Sequence, residues 1–527
     1  MKIISFKNKY IQFFIILIVL LIFLRIDYRF ETTIKCCSDE YDYYSHAATI
    51  VNDFDLDYSN QNIRDFKYTK YGKNTPIGFF GSGLLSAPFL LIGSILSSFF
   101  NENTNEIILN FEFLFYSMSS VFYYFLSYFL LCNTLKNFNI QFNRFYLLLF
   151  FSGSGITYFA FERFGMTHVY EVFGISLLIN LSTKFYLNIN EKKNIFGLFI
   201  PLILCICFLT RMSNYYIFFI PYIVKCLIED SVNENPENLS KSKYFWLSST
   251  VTFLIYSFIS NQLYGKLVLN PQEVYGTNIS AQDVYESQSN ILELFISLLN
   301  TLSIILFSPE FGIFWVSPIL LIGLISIFLR GKLFSISNFL IFLCFAQNFF
   351  IVHLWQALGS SYGFRYLFSL TPIALMLYYI YVKNYFLRLY LISFSIFSNL
   401  SILFFETTVK TQLSTFDEVN SFGKSIRYIE PEYVYGLLNS FIKFESYLII
   451  FTTSFFGVVV FKSIFLIFDK QVFLSFLEDL GLPVSNQDFQ IYLVEINQVS
   501  FDKIVLILFL LSIISYKIIN PHKNIKA

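Results

Sequence analysis

The chain has 527 residues, 55% hydrophobic and 14% charged, with a formal net charge of zero and a mean hydropathy of +0.59. A soluble domain carries about a quarter charged residues, so a water-soluble globular protein is excluded. No nucleic-acid partner is expected either, because that needs a basic surface.

The N-terminal MKIISFKNKY precedes an apolar run over 11–24, and the LRIDYRF that follows offers no small-residue cleavage site. The run is therefore expected to remain as a first span, basic end in the cytoplasm. Residues 36–60 then read CCSDEYDYYSHAATIVNDFDLDYSN. Ser38 ahead of Asp39 and Glu40 reads as an N-cap followed by acids that complement a helix dipole. Tyr41, Tyr44, Ala48 and Val51 recur at helical spacing, with Asp39, Asp42, His46 and Asp53 opposite them. This predicts an amphipathic helix lying on the membrane, apolar side down. The first outer loop runs over about 26–106, a length that usually means binding, and its aromatic content argues against disorder. At its end, NTPIGFFGSGLLSAPFLLIG (74–93) carries Pro76, Pro88 and four glycines, which suits an interfacial or re-entrant piece better than a plain span.

Further spans are expected at 107–132, 145–161, 169–187, 195–210, 212–228, 244–262, 311–329, 335–351, 366–382, 387–405, 446–468 and 503–519, with 291–307 ambiguous. The fold class is an all-α polytopic bundle of about 11–13 transmembrane helices. Charge placement supports the threading. The inner loops hold Lys136 and Arg144; Lys184, Lys192 and Lys193; Lys241 and Lys243; Arg330 and Lys332; Lys383 and Arg388. The outer loops hold mostly single basic residues: Arg163, Arg211, Lys266 and Arg365. The last span breaks the rule, because Lys517, Lys523 and Lys526 fall outside, so sidedness after about 405 stays open. Cys132, Cys205, Cys207 and Cys344 sit in apolar runs as packing residues; adjacent Cys36 and Cys37 are too strained to pair with each other.

This threading puts Asp39, Glu40, Arg163, His168, Arg211, Glu310 and Arg365 on one outer face. A transporter keeps its ionisable groups in mid-span and commonly shows internal repeats; neither feature is visible here.

SDEYDYYSHA (38–47), DFDLDYSN (53–60), the Pro/Gly-rich 74–93, RFGMTHVYE (163–171), LTRMSNYY (209–216), FSPEFGIFWVSP (307–318) and SSYGFRYLFSLTP (360–372) follow one another in that order. This arrangement resembles the GT-C superfamily of integral-membrane glycosyltransferases, which includes protein O-mannosyltransferases and bacterial enzymes that decorate lipid A or surface polysaccharide. The resemblance covers about residues 1–400; the family's Pro-Pro/His signature is reduced here to Thr75-Pro76. It implies a GT-C-like catalytic domain over 1–405 and a C-terminal region, 406–527, with further spans and an acceptor-recognition segment. The donor it implies is a sugar on a polyprenyl phosphate. The acceptor is a lipid, glycan or protein at the periplasmic face of a bacterial inner membrane, among membrane lipids.

On this reading Asp39 is the general base, with Glu40 as neighbour or alternative, and a single attack inverts the anomeric centre. Arginine suits the leaving lipid phosphate, because its planar fork binds phosphate oxygens and keeps its proton. The candidates are Arg365, then Arg211, then Arg163; the plain alternative for each is an interfacial arginine snorkelling to headgroups. His168, Tyr43, His46 and Glu310 are expected to contact the acceptor or support the site. No cofactor is assigned. His46 with Asp42, four apart on one helix face, is the one pairing suited to a divalent metal, and further ligands are not evident. The DFDLD acids match a nucleotide-binding DxD by letters only and are expected at a helix end or a turn. Three other readings stay open: a transporter or flippase for lipid-linked glycans, a ligase or polymerase of such glycans, and an inactive scaffold.

Overall fold

The computed structural model describes residues 9–24, 39–60, 63, 67–101, 110–187, 193–232, 236, 238–275, 291–308, 312–329, 335–354, 362–413, 438, 441–467, 470–479 and 499–520. The protein is an all-α polytopic membrane protein. Its helices are α1 (Lys9–Phe23), α2 (Asp39–Asn52), α3 (Phe80–Phe99), α4 (Phe111–Asn137), α5 (Arg144–Ser152), α6 (Ile156–Phe161), α7 (His168–Tyr186), α8 (Lys193–Thr210), α9 (Ile220–Val232) and α10 (Lys243–Tyr264). There follow α11 (Gln272–Tyr275), α12 (Ile291–Phe307), α13 (Ile313–Val316), α14 (Pro318–Leu329), α15 (Ile336–Leu354), α16 (Thr371–Tyr381), α17 (Tyr385–Leu413), α18 (Phe444–Thr453), α19 (Phe455–Ile464), α20 (Lys470–Asp479) and α21 (Phe501–Ile519). Among the described residues, α3, α4, α15 and α17 contain stretches long and apolar enough to cross a membrane unaided; α1, α8, α12, α14 and α19 contribute shorter apolar segments. Several expected spans are broken: 145–161 is α5 and α6 separated at Gly153–Gly155, and 366–382 starts as a 3-10 turn, Arg365–Leu370, before α16. The boundary expected at 405 falls within α17.

Two expectations need correcting. The ambiguous stretch over 77–100, expected to suit an interfacial or re-entrant piece, holds one continuous 20-residue helix, Phe80–Phe99, long and apolar enough to cross a membrane despite Pro88. Helix α2 does not lie on the membrane; Asp42, Tyr43, His46, Ala47, Ala48 and Thr49 are all buried. The small residues of α3 explain both results, since they admit α2 at very short range. A Cβ built on Gly83 would stand 2.4 Å from His46 Cβ. Polar groups of α2 then find partners inside the protein. Gly78 N–H donates to Asp42 Oδ2 at 3.1 Å, and His46 uses both ring nitrogens, Nδ1 with Tyr58 Oη at 2.6 Å and Nε2 with the Gly78 carbonyl at 2.9 Å. His46 therefore has no nitrogen left for a metal, and the Asp42–His46 pairing is structural. Asp55 and Asp57 close a turn, accepting from the Asp57 and Ser59 amides at 3.0 Å each.

Lipid offers helices no hydrophobic drive to associate, so small residues and interhelical hydrogen bonds do much of the work. Ser119 Oγ meets Tyr170 Oη at 2.7 Å, and Asn180 Nδ2 donates to Thr134 Oγ1 at 3.0 Å. These two contacts, early with early and late with late, make α4 and α7 parallel: the α4 start at Phe111 lies at the end of the bundle where α7 begins at His168. The C-terminal helix is placed by Lys9 Nζ, which donates to Asn520 Oδ1 at 3.1 Å. The start of α1 and the end of α21 thus share one rim. Lys517 therefore lies at the same rim as Lys9, and the exception to the charge rule disappears for this residue.

Candidate functional site

Four segments distant in sequence meet at the end of the bundle where α2 and α7 begin. Asp39 opens α2, and Tyr43 follows one turn later, its side chain buried. Arg365 opens a 3-10 turn two residues after Gly363, which has φ +64°. Glycine is the residue that adopts this left-handed conformation freely, and a Cβ there would also meet Val316 Cγ1 at 2.7 Å. The turn brings Arg365 Nη2 to 3.6 Å from Asp39 Oδ2. The side chains are 18% and 40% exposed, so this pair sits at an open edge.

Beside it lies a drier cluster. Arg211 follows the last turn of α8 and is 5% exposed. Its Nη1 donates to Glu171 Oε1 at 2.9 Å. His168 Nδ1 lies 3.1 Å from the same oxygen, and Asn214 Nδ2 donates to Glu171 Oε2 at 2.9 Å. Glu171 is held on three sides and in turn fixes the Arg211 fork. The Arg211 guanidinium also stacks over Tyr366 at 4.6 Å and Phe79 at 5.8 Å. Arg365 lies over the same Tyr366 ring at 5.5 Å, so one aromatic face joins both cations. Burial weighs against the Arg365 charge, but Tyr366 and Asp39 beside it hold its pKa above the ordinary arginine value. Burial, reinforced by Asp39, pushes the Tyr43 hydroxyl well up, so Tyr43 stays a neutral hydrogen-bonding group.

Among the described residues, Arg211 Nε, Arg365 Nε and His168 Nε2 are buried without a hydrogen-bond partner. The two arginine N–H groups are unsatisfied buried donors, which are costly, so they point to an acceptor that the protein alone does not supply.

The expected site residues divide into groups. Asp39, Tyr43, His168, Arg211 and Arg365 come together. Glu40 and Arg163 pair with each other instead: Arg163 Nε donates to Glu40 Oε1 at 2.6 Å, with the Glu40 side chain 1% exposed. Successive helical residues point about 100° apart, which is why Glu40 turns inward while Asp39 stays at the edge. His46 supports the loop from inside. Glu310 lies outside the described residues, as do Cys36, Cys37 and the Ser38 cap. Sequence reasoning missed Glu171, Asn214 and Tyr366. Glu171 carried one usable signal, its i,i+3 spacing from His168 on one helix face; Tyr366 carried none beyond adjacency to Arg365.

Pro201, Leu204, Phe208, Tyr215, Phe253 and Tyr256 line an apolar groove of about 490 Å³ between α8 and α10. Phe208 lies three residues before Arg211.

No family model and no curated protein matches the sequence. Two solved structures are similar. One is the archaeal oligosaccharyltransferase AglB from Archaeoglobus fulgidus in complex with an inhibitory peptide and a dolichol-phosphate, at 12% identity and a TM-score of 0.37 over 85% of this chain. The other is the apo form of the Archaeoglobus fulgidus oligosaccharyltransferase, at 13% identity and a TM-score of 0.37 over 94% of this chain. The chain spans 56% and 64% of the lengths of those proteins. A TM-score of this size describes a coarse likeness between helical bundles and assigns neither chemistry nor substrate.

Proposed function

We propose that this protein is a membrane glycosyltransferase that moves a sugar from a polyprenyl-phosphate carrier to an acceptor hydroxyl or amide at the rim where α2 and α7 begin. The observation that carries the reading is the meeting of Asp39 with Arg365 at 3.6 Å, next to Arg211, across more than three hundred residues of chain. A carboxylate at an open edge beside two guanidinium groups with unsatisfied donors matches the needs of this reaction. Arg365 and Arg211 take the carrier phosphate, whose oxygens accept their spare N–H groups. Asp39 takes the proton from the acceptor as it attacks the anomeric carbon; the carrier phosphate leaves with the bonding pair, and the centre inverts. Glu171 and Asn214 position Arg211, and His168 and Tyr43 line the approach. The groove beside Phe208 suits the prenyl tail, because its walls are apolar and it starts one helical turn from Arg211. Glu40 and Arg163, already neutralised by each other, act as support.

The test uses the full chain in lipid nanodiscs with a short-chain polyprenyl phosphate as probe. Saturable binding is expected, weakened about tenfold to a hundredfold in Arg365→Ala, the equivalent of losing hydrogen bonds to a charged group. Unaltered binding in that variant would refute the donor-site assignment.

A further inference from the structure

The opposite end of the bundle holds a polar pocket that the transfer reaction does not use. It has a volume of about 360 Å³ and lies between the loop 138–143 and the loop 382–384, with Asn143, Tyr146, Tyr379, Lys383, Asn384 and Arg388 in its lining. Its position follows from the helices that lead to it. From Arg365 the chain runs through a six-residue 3-10 turn and the eleven residues of α16 before reaching Lys383. At about 2.0 and 1.5 Å of rise per residue, that path covers about 28 Å, close to a bilayer's hydrocarbon thickness. The pocket therefore opens at the other membrane rim, where the basic loops of the charge rule also lie.

Several features give the pocket one sign of charge. Lys383 and Arg388 contribute two cations, and no carboxylate lines the cavity. Among the described residues neither cation has an acidic partner within ion-pair distance; Arg388 instead stacks over Tyr146 at 5.0 Å. Two helices also begin at the pocket wall. Asn143 Oδ1 accepts from the Phe145 amide at 2.9 Å at the start of α5, and Asn384 Oδ1 accepts from the Phe386 amide at 2.8 Å at the start of α17. Each start adds partial positive charge to the same cavity. The Tyr379 hydroxyl is buried there without a hydrogen-bond partner. An uncompensated pair of cations over an aromatic wall, with amide and hydroxyl groups beside them, is complementary to a phosphate.

We propose that this pocket binds the phosphate of an anionic lipid headgroup at the rim opposite the transfer site. The lipid source is favoured over a free phosphate by place: the cavity opens at headgroup level, and Phe142, Phe150 and Tyr378 give its lining an apolar part that suits the glycerol and upper chains. The proposal does not depend on the transfer reaction.

The experiment uses the full chain in detergent, titrated with dioctanoyl phosphatidylglycerol, dioctanoyl phosphatidylcholine or inorganic phosphate, with binding read by native mass spectrometry and melting temperature. Saturable binding of the anionic lipid is expected, about tenfold weaker in Lys383→Gln/Arg388→Gln. Both side chains are exposed, so the double variant is expected to fold, checked by circular dichroism. Lys241→Gln/Lys243→Gln removes two charges from the same rim outside the pocket and is expected to leave affinity within about twofold. Equal losses in the two double variants would assign the effect to diffuse rim charge and overturn the pocket. Equal affinity for the two lipids would overturn it as well. If inorganic phosphate alone bound as tightly as the lipid, with the same sensitivity to Lys383 and Arg388, the lipid assignment would fall.

Discussion

The Asp39→Asn substitution separates chemistry from architecture, because the structure holds two ion pairs of contrasting burial on neighbouring residues. Asp39 and Arg365 stand 3.6 Å apart at an edge, 40% and 18% exposed. Solvent-exposed pairs of this kind contribute about 0–1 kcal/mol, so Asn at 39 should lower the melting temperature by about two degrees or less. If Asp39 is the base, transfer should fall by about 10² to 10⁴, or roughly 3–5 kcal/mol of barrier. Glu40→Gln is the matched control. It removes the carboxylate charge that Arg163 Nε meets in a site where the partner side chains are 10% and 1% exposed, a loss of about 3–5 kcal/mol in stability. The assay is transfer of radiolabelled sugar per mole of folded protein, with melting followed in parallel and glycan profiles read in cells. Carrier binding should survive in Asp39→Asn, since Arg365 keeps its fork. A variant at 39 that transfers normally would falsify the base assignment. One that melts as early as Glu40→Gln, with activity lost only in step with folded protein, would make Asp39 a structural residue.

Other consequences are accessible to the same preparations. Burial holds the His46 pKa down at about 4, so above its unfolded value of about 6.5 both states are neutral. As pH falls below that, the unfolded chain binds the proton first, and stability should drop by roughly 3 kcal/mol between pH 6.5 and 4. Melting measured across that window in wild type and His46→Gln checks this; a parallel pH dependence in both proteins would exclude His46 as the source. Gly83→Ala should cost about 1–3 kcal/mol or more, because its new methyl group would meet His46 Cβ at 2.4 Å. Chemical denaturation showing no loss would mean that α2 and α3 separate more easily than described. Glu171→Gln removes the counter-charge of buried Arg211 and should lower stability by about 3 kcal/mol. Asn214→Ala, which removes one hydrogen bond to a carboxylate that keeps its other partners, should lose about half of that or less.

Much of this architecture was legible before any coordinates. A chain whose solvent is lipid must satisfy its backbone within helices, so runs of apolar residues report spans directly, and loop charges report their sidedness. The rim location of Asp39, Arg211 and Arg365 followed from that threading alone. Their division of labour did not. Asp39 and Glu40 are adjacent carboxylates in a sequence, and only the placement of Arg163, 123 residues on from Glu40, makes one a buried counter-ion and leaves the other at an edge. The buried course of α2 was likewise hidden, because the glycines of 74–93 read as helix breakers when they are in fact the surface that admits a neighbour.

The amino-acid order by itself determined the solvent, the helical class, the positions of most spans and the side on which the ionisable loop residues gather. Tertiary structure alone decided which of those residues touch, that α1 and α21 lie antiparallel with Lys9 beside Asn520, and that two helix starts and two cations enclose one pocket at the far rim. The physical reason is range: hydropathy and helical period are properties of consecutive residues, whereas an ion pair between distant segments depends on close packing, which no local pattern encodes.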